Sequence, residues 1–106
     1  MNKPVAIITG ASRGIGKAIA FQFLKKGYCV AVTADSAEEL GAAFKDESSE
    51  HVLLRSGDLI DLGFAKEIVD ETFLKWNRID VLINCAAWRV IETLRDMSID
   101  NWEKTI

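Results

Sequence analysis

The stretch "TGASRGIGKA", residues Thr9 to Ala18, decides how this chain is read. Before it runs a short β-branched segment, Val5 to Thr9 (VAIIT). After it, apolar residues recur at Ile15, Ala18, Ile19 and Phe23, a helical spacing closed by Gly27. Glycines 10, 14 and 16 therefore fall at a strand-to-helix turn. Glycine there permits a sharp bend, close approach of backbone to a pyrophosphate, and tight packing of helix on strand. The helix start adds free N–H groups and a positive dipole end, which favour an anion. The nucleotide-triphosphatase pattern G-x-x-x-x-G-K-[ST] aligns on Gly16-Lys17, but it needs glycine at Ala11 and a hydroxyl at Ala18. Both fail, which leaves a dinucleotide turn or a plain strand-to-helix turn, and the position at the first βα junction favours the dinucleotide turn.

Working outward, the hydrophobic period keeps alternating between two modes. Cys29 to Thr33 is a second strand-like run, followed by a polar turn and a helical pattern through Leu40, Ala43 and Phe44. Val52 to Leu54 forms a third run that ends at Gly57-Asp58. A helical stripe then passes through Ala65, Ile68, Val69, Thr72, Phe73 and Trp76, and Ile79 to Ile83 is a fourth, almost wholly apolar run. The order is β-α-β-α-β-α-β, and "SIDNWEKTI" (residues 98–106) starts one more helix, with Ile99, Trp102 and Ile106 on one face. Continuous apolar strands between helices imply an α/β fold with a parallel sheet covered on both faces. No repeat, linker or low-complexity segment divides the 106 residues, so the expectation is one domain.

Composition narrows the partners. A formal net charge of -3 argues against nucleic acid or an anionic membrane. No apolar run approaches bilayer length. Met1 to Pro4 leads straight into a strand pattern without a secretory signal. Cys29 and Cys85 sit far apart in apolar runs, reading as buried thiols in a reduced cytoplasm. With one histidine, His51, and no cysteine pair at ligand spacing, nothing points to structural zinc.

The longer glycine spacing G-x-x-x-G-x-G carries a family resemblance. "TGASRGIG" resembles the cofactor motif of the short-chain dehydrogenase/reductase family. "GDL" at residues 57–59, "IDVLINCAA" at residues 79–87 and "NWEKTI" at residues 101–106 resemble its adenine contact, fourth strand and following long helix. The likeness runs through essentially the whole chain. It implies a Rossmann-type sheet of order 3-2-1-4, half of a doubly wound fold. It assigns Gly10, Ser12, Arg13, Ile15 and Gly16 to the phosphates and adjoining ribose, Asp58 and Leu59 to the adenine, and Asn84 and Ala86 to the stretch toward the nicotinamide. Read from the residues alone, Asp58 is either that contact or a turn acid. Asn84 bonds cofactor, neighbouring backbone, or both. Cys85 and Ala87 depart from the family's Asn and Gly, so the nicotinamide end of the pattern is the weaker one.

The cofactor is NADP or NAD. Arg13 in the turn suits a 2′-phosphate, whereas Asp35, just past the second strand, opposes one. The balance tilts slightly to NADP.

By the same resemblance, hydride chemistry between the nicotinamide and a carbonyl or alcohol needs a Tyr-x-x-x-Lys pair, a serine and a relay asparagine. Tyr28, the only tyrosine, is followed four residues on by Val32 and reads as packing. The catalytic groups are expected beyond Ile106, which makes this the N-terminal cofactor-binding part of a short-chain oxidoreductase. A self-standing, non-catalytic dinucleotide-binding or interaction module is the alternative. Order 3-2-1-4 also leaves the fourth strand as an open edge carrying Val81, Leu82 and Ile83. Self-association or a homo-oligomer is expected through it.

Overall fold

A computed structural model describes residues 3–58 and 61–85. The helix expected over residues 98–106, together with Leu59, Ala86 and Trp88, lies outside the described residues.

Seven elements follow the expected order: β1 (Val5–Thr9), α1 (Gly14–Lys25), β2 (Cys29–Ala34), α2 (Ala37–Ala43), β3 (Val52–Ser56), α3 (Leu62–Trp76) and β4 (Val81–Asn84). The strands form one parallel sheet of order β3-β2-β1-β4. Every residue of β1 and β2 is buried, as the unbroken apolar runs require of strands covered on both faces. Alternation sorts the side chains. Ala6, Ile8, Val30 and Val32 pack with Ala20 of α1 and Leu40 of α2. Ile7 and Ala31 pack with Ile68 of α3 on the opposite face. A fully buried side chain such as Ile8 contributes about 1.5–3 kcal/mol by leaving water.

The ends of the helices are set locally. Ser36 accepts from the Glu39 N–H at the start of α2, and Asp61 accepts from the Gly63 N–H at the start of α3. Asn77 closes α3 in a left-handed conformation (φ 61°), its N–H donating to the Phe73 carbonyl. Tyr28 packs edge-on against Phe23, 4.7 Å between ring centres, as expected of a residue entering β2.

Three expectations need correction. Of the apolar stripe expected on α1, Ile19 and Phe23 pack against the core beside buried Gly16 and Ala20. Ala18 is exposed and Ile15 is 77% exposed, because the helix is turned so that Gly16 and Ala20 meet the sheet. The single stripe on α3 divides: Ile68 and Thr72 are buried, whereas Val69 and Phe73 stand 48% and 54% exposed. Cys29 is buried, and burial pushes its thiol pKa up, but Cys85 is only half-buried; both are free thiols.

Candidate cofactor site

Parallel strands bring their C-terminal ends to one edge of the sheet. Thr9 stands level with Thr33 on β2 and with Asn84 on β4. The chain leaves β1 for β2 on one side, while β4 lies on the other. A crevice at this reversal of strand order is where doubly wound sheets take ligands.

The glycine turn spans that crevice. Gly10 and Gly14 both have φ of 64°, a conformation in which a side chain is strained. Between them Ala11 is buried, and its N–H donates to the Thr33 carbonyl at 2.9 Å, tying the turn to β2. Gly16 is the closest approach. A Cβ there would overlap the Gly10 carbonyl oxygen and stand 2.9 Å from its carbon.

The start of α1 differs from the other helix starts described. Its N-cap, Arg13, gives no side-chain cap, whereas Ser36 and Asp61 cap α2 and α3. Free N–H groups at a helix start present partial positive charge. The turn therefore fits an anionic group with backbone donors, which is what a dinucleotide's pyrophosphate requires. Ser12 is half-buried beside this end, and Arg13 and Ile15 are exposed on it.

At the end of β2, Asp35 is exposed and Ser36 has its hydroxyl committed to the cap of α2. The structure adds a residue that sequence reasoning missed. Glu39 reaches back across 27 positions to the Ser12 hydroxyl, 3.5 Å away. The signal available was Ser36-x-x-Glu39, a capping-box pattern in which the glutamate usually returns to its own cap. Only folding brings α2 against the turn.

At the other side of the crevice, the buried Thr9 hydroxyl donates to Asn84 Oδ1 at 2.8 Å and accepts from the Cys85 N–H at 3.0 Å. Asn84 thus has the structural bond that its sequence position left open; a cofactor contact is compatible with it, since the residue is exposed. Asp58 lies two residues past the end of β3, exposed, and its carbonyl accepts from the Asp61 N–H at 3.0 Å.

The sheet order agrees with a match over almost the whole sequence. A family profile described as short chain dehydrogenase matches residues 4–106. The chain belongs to the short-chain dehydrogenase family. The chain is 33% identical over 103 residues to an NADP-dependent 3-hydroxy acid dehydrogenase of Salmonella typhi, covering 96% of this chain and 41% of the relative. It is 34% identical over 114 residues to a 3-oxoacyl-[acyl-carrier-protein] reductase of Staphylococcus epidermidis, covering 100% of this chain and 44% of the relative. Among solved structures, a short chain dehydrogenase from Bacillus anthracis superposes with a TM-score of 0.81 at 32% identity, covering 96% of this chain and 42% of that one. The chain thus spans less than half the length of these relatives. Among the described residues, no helix is long and apolar enough to cross a membrane.

Proposed function

We propose that this chain is the cofactor-binding part of a short-chain oxidoreductase that moves hydride between NADP or NAD and a carbonyl or alcohol. The observation that carries this reading is the uncapped start of α1 over a turn where Gly16 presses on the Gly10 carbonyl. Gly10, Ser12, Arg13, Ile15 and Gly16 would hold the phosphates and nearby ribose. Asp58 and Leu59 would bracket the adenine, with Asn84 and Ala86 toward the nicotinamide and Asp35 at the ribose. A bound nicotinamide supplies or accepts the hydride. The chain's own share is to bind it, to align it along the sheet edge and, through Thr9, to hold Asn84 in place. The groups that exchange a proton with substrate belong, on this reading, to sequence beyond Ile106.

Arg13 favours NADP, and the Salmonella relative described as NADP-dependent supports that preference. The two free thiols support a reduced, cytoplasmic setting. Exposed Leu82 on edge strand β4, with exposed Val69 and Phe73 on α3, supports self-association.

The reading is tested by titrating 5′-AMP into the protein by calorimetry. Binding is expected in the wild type and absent in Gly16→Val, whose side chain fills the space between turn and helix. Equal binding by the two would place the ligand elsewhere and overturn the assignment.

A further inference from the structure

We propose that Glu39 is a specificity-determining residue that weakens the hold of this site on a 2′-phosphorylated adenosine relative to an unphosphorylated one. The proposal rests on the dinucleotide reading above and adds to it a residue on α2 that the glycine motif does not contain.

Glu39 has two separate jobs. Its backbone N–H donates to the Ser36 hydroxyl at 3.1 Å and so completes the cap of α2. Its carboxylate, instead of closing the capping box on Ser36, stands 3.5 Å from the Ser12 hydroxyl in the glycine turn. A bond of that length is weak and exchangeable. It holds a negative charge beside the turn without locking the Ser12 hydroxyl away from a ligand.

The acid in dinucleotide sites that reads the ribose 2′ position falls about 20 residues after the glycine fingerprint. Asp35 and Glu39 both lie in that interval. Asp35 is exposed just past β2, and Glu39 is the one whose carboxylate reaches the turn. Along this rim Arg13 stands at the start of α1, and Asp35, Glu38 and Glu39 lead from the end of β2 into the first turn of α2. A 2′-phosphate brings nearly two negative charges to it and meets Arg13 attractively and Glu39 repulsively. An unphosphorylated ribose meets no such penalty, because a carboxylate accepts from its hydroxyls.

The experiment uses the full-length protein and two probes, 5′-AMP and adenosine 2′,5′-bisphosphate, titrated by calorimetry. Glu39→Gln keeps the N–H that caps α2 and removes only the charge. It is expected to tighten the bisphosphate roughly three- to tenfold at low salt while leaving 5′-AMP within about twofold. At about 1 M salt the gain should largely vanish, since a screened charge effect falls off with ionic strength and a packing effect does not. Glu39→Lys should give a larger gain in the same direction. Glu38→Gln, which removes the same charge one residue away from the contact with Ser12, should give less than half the gain of Glu39→Gln.

An unchanged probe ratio in both Glu39 variants would overturn the proposal. So would an equal gain from Glu38→Gln, or a gain that persists at high salt. If the wild type binds neither probe, the dinucleotide reading itself fails. If it binds 5′-AMP and Glu39→Gln changes nothing, that reading stands and only the role of Glu39 falls.

Discussion

Gly16 of α1 sits so close to Gly10 that no side chain fits between them: a Cβ on Gly16 would overlap the Gly10 carbonyl oxygen and stand 3.3 Å from the Ala11 Cα. All of these are backbone atoms at a turn pinned to β2 by the Ala11 N–H. Neither side can yield cheaply. Helix, turn and strand are thereby held as one unit at the point where an anion is proposed to bind.

The first prediction contrasts two glycines of the motif. Gly16→Ala should cost about 1–3 kcal/mol of stability through overpacking and reduce 5′-AMP binding sharply. Gly14 has open space around its Cβ position but φ of 64°. Gly14→Ala should therefore cost only the left-handed strain, about 1–2 kcal/mol, and keep most of the binding. Chemical denaturation and calorimetry on both variants check this; equal binding losses would contradict it.

Thr9 joins the ends of β1 and β4 through two hydrogen bonds of its buried hydroxyl. Thr9→Val keeps the shape and removes both, and should cost about 1–3 kcal/mol. Thr9→Ser should recover most of that, because it restores the hydroxyl. Matching denaturation midpoints for the two variants would show that packing, rather than the bonds, matters here.

Asp80 fastens the start of β4 to the start of β1. It accepts from both nitrogens of the Arg78 fork at 2.7 and 2.8 Å, and from the Val5 N–H at 2.8 Å. Arg78 first, and Val5 second, hold its carboxyl below the usual carboxylate range. A depressed folded-state pKa contributes stability above the ordinary carboxylate pKa, and that stability is lost as pH falls through the folded value. Asp80→Asn should lower the melting temperature at pH 7. The gap from wild type should narrow as pH falls below the ordinary carboxylate range and close once Asp80 is protonated in the folded state. A gap that stays constant with pH would refute the linkage.

Leu82 on β4 and Phe73 on α3 are both exposed apolar side chains. The 106-residue chain is expected to sediment as dimers or larger species. Leu82→Lys should shift it toward monomer. A wild-type chain that is sharply monomeric and melts cooperatively would refute self-association at this edge.

Much of the architecture is legible in sequence because it depends on local period. Val5–Thr9 is read to the residue, and β2 and β3 differ from their expected runs only at their C-terminal ends. The glycine turn is legible for the same reason, since spacing and position carry its geometry. The α3 stripe shows where local period stops being informative. It identifies Val69 and Phe73 as apolar, but which apolar residues meet the sheet depends on how the helix is rotated over it.

By itself, then, the sequence determined the alternation of strands and helices, the turn able to receive a pyrophosphate, and the family to which these belong. Those features rest on residues near one another in the chain and on steric rules that act locally. The tertiary structure alone decided that Thr9 would hold Asn84, that Asp80 would hold Val5, and that Glu39 would lean onto Ser12. Each of these joins segments between 27 and 75 positions apart. Such contacts exist only once crossovers have stacked the strands and swung α2 over the turn, and no local period encodes them.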